Sequence, residues 1–130
     1  MHKFLFAVIL LSVLALTLAA CSGNSTDPAA KAVENYLNAL VNKDSTKLSA
    51  LSCAGWESNA KLELDSFQAV KIRLEGMACK TTKVEGTKSQ VDCQGKILAT
   101  YNGEDQAFDL STRTYQVVQQ SGDYLVCGYN

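Results

Sequence analysis

The chain has 130 residues, 47% of them hydrophobic and 19% charged, with a formal net charge of −1. That length builds one domain with its own core and is too short for two. A charge this close to zero offers no basic surface to gather phosphates, which argues against nucleic acid as a partner.

The chain opens with Met1-His2-Lys3 and then runs apolar from Phe4 to Leu18, interrupted only by Ser12 and Thr17. Ala19-Ala20 precede Cys21. A short positive start, an apolar stretch and small residues at its end read as an export signal over residues 1–20. The run is at the short edge of the roughly 17–25 residues a spanning helix needs, and no basic stop follows, so a permanent transmembrane helix is the weaker reading. Ser22-Gly23-Asn24-Ser25-Thr26 reads as a flexible polar tether within residues 21–27.

Leu18-Ala19-Ala20-Cys21 resembles the lipobox of bacterial lipoproteins. The resemblance implies cleavage between Ala20 and Cys21, a diacylglyceryl group on the Cys21 thiol and often an acyl chain such as palmitate on its new amino group. It places the protein on the extracytoplasmic side of a cell membrane or outer membrane, with the lipid bilayer as partner. Two or three chains anchor durably, at about 0.8 kcal/mol per buried methylene. Residues 21–130 retain 11 basic and 13 acidic side chains and no histidine, since His2 lies in the signal.

The domain proper, residues 28–130, reads as helices first and strands after. Asp27-Pro28 is a helix start, with Asp27 as N-cap and Pro28 in the first turn. Val33, Tyr36, Leu37, Leu40 and Val41 form one apolar stripe at helical spacing. After Asn42-Lys43-Asp44, a short helix capped by Asp44 or Ser45 carries Leu48 and Leu51. A third helix places Trp56, Ala60 and Leu64 on one face.

From Phe67 the period changes to two. Val70, Ile72 and Leu74 alternate with Lys71 and Arg73, which predicts a half-buried strand. Beyond Gly76 the apolar parity switches to Met77 and Cys79, which predicts a β-bulge at Glu75-Gly76. Asn102-Gly103 is a type I′ hairpin signal. It sets Ile97 against Phe108 and Gly95 against Leu110 on the core side, with Lys96 meeting Asp109 and Asp92 meeting Arg113 outside. Ser121-Gly122 turns a strand over 106–119 into one over 124–129, with Val118 facing Leu125 and Gln116 facing Cys127 on the core side. The expected fold is α+β: three N-terminal helices packed on a curved four-stranded antiparallel meander.

Four cysteines besides Cys21 in an exported domain imply two disulfides, among three pairings. A three-residue loop at Glu85-Gly86-Thr87 would set Cys79 opposite Cys93, and Cys127 would face the helical region that ends near Cys53. The expected bridges are therefore Cys79–Cys93 and Cys53–Cys127. Their loops imply stabilisation of about 3 and about 4 kcal/mol by the chain-entropy model. The spacings fit no zinc pattern, so no metal or other cofactor is expected, and no histidine is available to activate a nucleophilic thiol.

The helix Ala29–Val41, Asn42-Lys43-Asp44, and Leu48 to Leu51 follow the pattern x-Y-L-x-A-L-x-x-x-D-x-x-x-L-x-x-L. Thr114-Tyr115-Gln116-Val117-Val118, a turn and Asp123-Tyr124-Leu125-Val126-Cys127 end the chain. In these features the sequence resembles the nuclear transport factor 2-like superfamily (SnoaL-like, cystatin-related) over about Asp27 to Tyr129. That resemblance implies a cone of sheet and helices whose mouth takes a ligand or a partner, in enzymes and non-enzymes alike. Tyr36, Trp56, Phe67, Tyr101 and Tyr129 are the candidate lining, against the plainer reading that they form the core of a small domain. Among carboxylates, Glu63, Asp65, Asp92, Asp109, Glu104 and Asp105 all read as solvated.

No motif of a catalytic class is present, and no catalytic residue is expected. The expected function is a lipid-anchored, non-catalytic module at the bacterial envelope that binds a small molecule or an envelope protein. One alternative is an isomerase- or dehydratase-like enzyme using a buried carboxylate with a tyrosine. The other is a structural subunit of an envelope complex.

Overall fold

The computed structural model describes residues 27–130; Ala20, Cys21 and the rest of the signal and tether expectations lie outside the described residues. The first helix, α1 (Pro28–Val41), starts where Asp27 turns its carboxylate back onto the Ala30 amide at 3.1 Å, with Pro28 in the first turn. Its stripe of Val33, Tyr36, Leu37 and Leu40 is wholly buried. Asn42 closes it, and Lys43 in the left-handed region (φ 56°) sends its ammonium to the carbonyls of Gln68 and Val70 at 3.0 and 2.7 Å. The second helix, α2 (Ser45–Ala50), is capped by Asp44 on the Lys47 amide and buries Leu48. The third, α3 (Glu57–Ser66), follows Trp56 and buries Ala60 and Leu64.

Five antiparallel strands follow: β1 (Lys71–Glu85), β2 (Lys88–Tyr101), β3 (Glu104–Asp109), β4 (Thr114–Gln120) and β5 (Asp123–Tyr129). Their order is β1-β2-β4-β5, with β3 also on β2. The described residues are thus α+β, three α-helices and one antiparallel sheet. Leu37, Leu40, Leu48 and Leu64 meet Val91, Ile97, Val117 and Val126 of the sheet in one continuous core.

The bulge lies at Glu75-Gly76, where the register with β2 slips between Glu75 and Ala78 and Gly76 adopts φ 63°. Gly95 faces it at φ 91°; a Cβ there would sit 2.5 Å from the Gly76 carbonyl. Only glycine fits so close a backbone approach.

Several details differ from the sequence expectation. The strand over 106–119 is two strands, so the sheet has five rather than four. β3 pairs with the C-terminal half of β2 and β4 with its N-terminal half, separated by a 3₁₀ turn at Leu110–Thr112. Asp109 makes that turn by accepting from the Ser111 amide and hydroxyl at 2.8 and 2.7 Å, a local bond that competes with the ladder. Ile97 still faces Phe108 and Lys96 faces Asp109, but the register then moves on: Asp92 faces Thr114, not Arg113. Gly95 lies opposite the bulge of β1, and Leu110 is a buried residue of the 3₁₀ turn rather than a strand partner.

The β1–β2 turn has two residues, Gly86-Thr87, rather than three; Glu85 faces Lys88, and an irregularity between Thr81 and Lys83 restores Cys79 to its place opposite Cys93. Between β4 and β5, Val118 faces Leu125, but Gln116 faces Gly128 because Cys127 is itself the extra residue of a bulge. Cys127 is half-buried there instead of facing the core.

The disulfides are Cys79–Cys93, with Cα atoms 4.0 Å apart, and Cys53–Cys127, with Cα atoms 4.9 Å apart across 74 residues. The second lies beside a short parallel pairing in which the Cys53 amide donates to Val126 O and the Val126 amide to Leu51 O, both at 2.8 Å. The outer edge of β5 is partly covered in this way. On the other margin of the sheet, α1 lies along β1: the Thr81 amide donates to Asp27 at 2.7 Å and the Cys79 amide to Glu34 at 3.3 Å.

Candidate functional site

The polar centre of the fold lies between α1, α3 and the last two strands. Tyr36 from α1 is wholly buried, and Trp56 at the head of α3 donates its indole N–H to the Tyr36 hydroxyl at 3.1 Å. The Tyr36 hydroxyl donates in turn to Glu63 Oε2 at 3.4 Å. Tyr129 donates to Glu63 Oε1 at 3.4 Å, and Arg113 places Nη1 2.8 Å from the same oxygen. The Arg113 guanidinium stacks 4.3 Å over the Tyr129 ring and reaches the Tyr115 hydroxyl at 3.5 Å. Edge-to-face contacts of 5.4 Å join Tyr129 to both Trp56 and Tyr115.

Glu63 and Arg113 expose only 11% and 18% of their side chains, so their ion pair is shielded from solvent screening. The sequence pattern puts both outside, Glu63 as a solvated helix residue and Arg113 as the partner of Asp92, and the structure corrects both. Glu63 follows Ala60 by three residues and precedes Phe67 by four, which puts it on the flank of the buried stripe of α3. The 3₁₀ turn before β4 shifts Arg113 out of the outer ladder and towards it. Asp92 instead accepts from the Thr114 hydroxyl at 2.9 Å.

Burial, with the Glu63 charge second, pushes the Tyr36 phenol well above its ordinary value. Burial also raises Tyr115 to about 12, against the pull of Arg113. Tyr129 is raised by burial and by Glu63. For Arg113, burial works against the charged form, but the bond to Tyr115 and the Glu63 charge outweigh it and its pKa rises. All three phenols are therefore neutral at neutral pH, Tyr36 and Tyr129 donating to Glu63 and Tyr115 accepting from Arg113, and the guanidinium is a fixed cation.

Of the five candidate lining residues, Tyr36, Trp56 and Tyr129 come together here. Phe67 is buried elsewhere in the core, edge-to-face with Phe108 at 5.6 Å. Tyr101 stands 37% exposed beside the Asn102-Gly103 turn. The sequence reading missed Tyr115, Glu63 and Arg113. Asp65, Asp92, Glu104, Asp105 and Asp109 are exposed. Asp105 pairs with Arg73 at 2.8 Å and accepts from Thr100 at 2.7 Å; the Arg73 bond, with Thr100 second, holds its carboxyl down at about 2.

Three concavities of about 270 to 430 Å³ lie elsewhere: beside Asp27 and Val84, over the Cys79–Cys93 pair, and between Lys43 and Arg73. None of them is lined by Glu63, Arg113, Tyr36 or Tyr129. Among the described residues no group of three or more histidine, cysteine or carboxylate side chains is placed to hold a metal ion. No described helix is long and apolar enough to cross a membrane.

Neither a family model nor a curated protein matches the sequence. Solved structures do match the fold. Aln2 from a Streptomyces species superposes with a TM-score of 0.57 at 11% identity, over 78% of this chain and 85% of that one. A nuclear transport factor 2-like protein with a cystatin-like fold from Novosphingobium aromaticivorans gives the same TM-score and identity, over 78% and 77%. The helical cell shape determining protein Pgp2 from Campylobacter jejuni aligns with a TM-score of 0.51 at 10% identity, over 76% of this chain and 38% of its own. At such identities the likeness is one of fold: the chain has a nuclear transport factor 2-like architecture.

Proposed function

We propose that the protein is a lipid-anchored, extracytoplasmic, non-catalytic module of the bacterial envelope, which binds a small molecule or an envelope protein. One observation favours the non-catalytic reading. Glu63, the carboxylate among the interior tyrosines, already accepts from Arg113, Tyr36 and Tyr129, and none of the three concavities reaches it. A general base needs a reacting proton within hydrogen-bond reach, and here the three donors already occupy this carboxylate. The anchor rests on the Leu18-Ala19-Ala20-Cys21 sequence, and the two disulfides suit an oxidising compartment.

The test is an intact mass of the protein extracted from membranes. The reading expects a chain beginning at a diacylated Cys21 with all four remaining cysteines oxidised; a chain beginning at Met1 with free thiols overturns it. Native mass spectrometry of the same sample then reads a retained small molecule or a co-purified protein. The isomerase- or dehydratase-like alternative keeps one point in its favour, the Tyr36 hydroxyl 3.4 Å from Glu63. It would require a ligand that displaces Arg113 from that carboxylate.

A further inference from the structure

The sheet extends past the N-terminus of α1, and the uncovered end forms the concavity of about 390 Å³ beside Asp27, lined by Pro28, Ala29, Val84, Gly86, Ser89 and Tyr124. Val84, near the tip of the β1–β2 hairpin, is 65% exposed although its cross-strand partner Ser89 is buried. Tyr124 lies half-buried next to the β4–β5 turn. The described chain begins at Asp27, between these two hairpin tips.

We propose that this end of the domain rests on the bilayer surface, with Val84 and Tyr124 in contact with lipid. The inference depends on the anchor at Cys21 proposed above. From Cys21 to Asp27 the chain can span at most about 20 Å. A link that short keeps Asp27 and the concavity it lines with Val84 and Tyr124 within reach of the bilayer surface. An exposed aliphatic side chain beside a tyrosine is the composition that partitions into the headgroup boundary. This end carries no excess of basic charge, since Lys83 and Lys88 are set against Glu85, Asp123 and Asp27, and Lys83 is paired with Glu85 at 3.0 Å. The contact is therefore apolar and independent of salt and of anionic lipid.

The experiment uses the full chain, processed and extracted from membranes, carrying Val84→Trp and reconstituted in phosphatidylcholine vesicles with brominated acyl chains. Leu62→Trp on α3, equally exposed at 66% and outside the concavity, is the control, and the wild-type chain supplies the Trp56 background. The added emission at position 84 is expected to fall by about half, with the same loss from about 0.05 to 0.5 M salt, while that at position 62 is unchanged. Equal quenching at both positions, or none at 84, overturns the orientation. Intact mass on the same sample separates the two ideas. An acylated Cys21 with unquenched Val84→Trp rejects the orientation alone, whereas an unmodified Cys21 rejects the anchor and the orientation with it.

Discussion

Arg113 and Glu63, 50 residues apart in the chain, meet at 2.8 Å and so fasten the start of β4 to α3. The pair is shielded on both sides, and its remaining partners are tyrosine hydroxyls. Removing one member leaves the other desolvated and uncompensated, which is the costly way to break such a pair. Glu63→Ala is expected to cost about 2–4 kcal/mol, less than a fully buried pair would because both side chains keep some solvent contact. Glu63→Gln, which retains the hydrogen-bond acceptor, should cost roughly half as much. Urea denaturation of each variant measures this; a Glu63→Ala midpoint equal to wild type would show that the pair adds nothing.

Alkaline pH should unfold the protein through its phenols. Tyr36, Tyr115 and Tyr129 all have folded-state values above the ordinary 10.0, with Tyr115 at about 12. A raised folded value means that their contribution is whole below pH 10 and is lost as the pH climbs towards the folded value. Stability should hold up to about pH 10 and fall between there and about pH 12, with phenolate absorbance rising together with the loss of circular dichroism. Complete tyrosine titration by pH 10 in a folded protein would contradict the burial of these rings.

The two disulfides should differ in weight. The bridge from Cys53 to Cys127 closes a far longer loop than that from Cys79 to Cys93. Replacing both cysteines of a pair by serine should cost about 4 kcal/mol for the long loop and about 3 for the short one. The double variants unfolded in guanidinium give the ranking, and a reversed order would mean that the backbone pairing of Cys53 and Leu51 with Val126 already holds the long loop closed without its bridge.

Gly95→Ala should be among the most damaging small changes in the chain. Its methyl would sit 2.5 Å from the Gly76 carbonyl, on a residue at φ 91°. Either β1 and β2 part at the bulge or the strand refolds locally, at a cost of about 3 kcal/mol or more. Gly55→Ala, which meets nothing within 4 Å, is the matched control, and thermal unfolding compares the two.

The elements legible in the sequence were those set by nearest neighbours. Asp27-Pro28 capped a helix, Asn102-Gly103 turned a hairpin, and the switch of apolar parity after Leu74 marked a bulge. Errors arose where two local devices competed. A serine two residues after Asp109 offers that carboxylate a turn, and the turn broke a strand that alternation alone would have continued. At the β1–β2 hairpin a shorter turn and an added irregularity offset each other, so the Cys79–Cys93 alignment survived a wrong turn length. The interior cluster was hidden for another reason. Charged residues read as solvated unless a partner is known, and the partner of Glu63 lay 50 residues away beyond the misread turn.

The carboxylates of Asp27 and Glu34 sit on amides of Thr81 and Cys79 that face away from β2. A bare strand margin invites runaway stacking from molecule to molecule wherever copies meet at high density. With those two donors already occupied, this stretch of β1 has two fewer amides to lend to a neighbour's backbone.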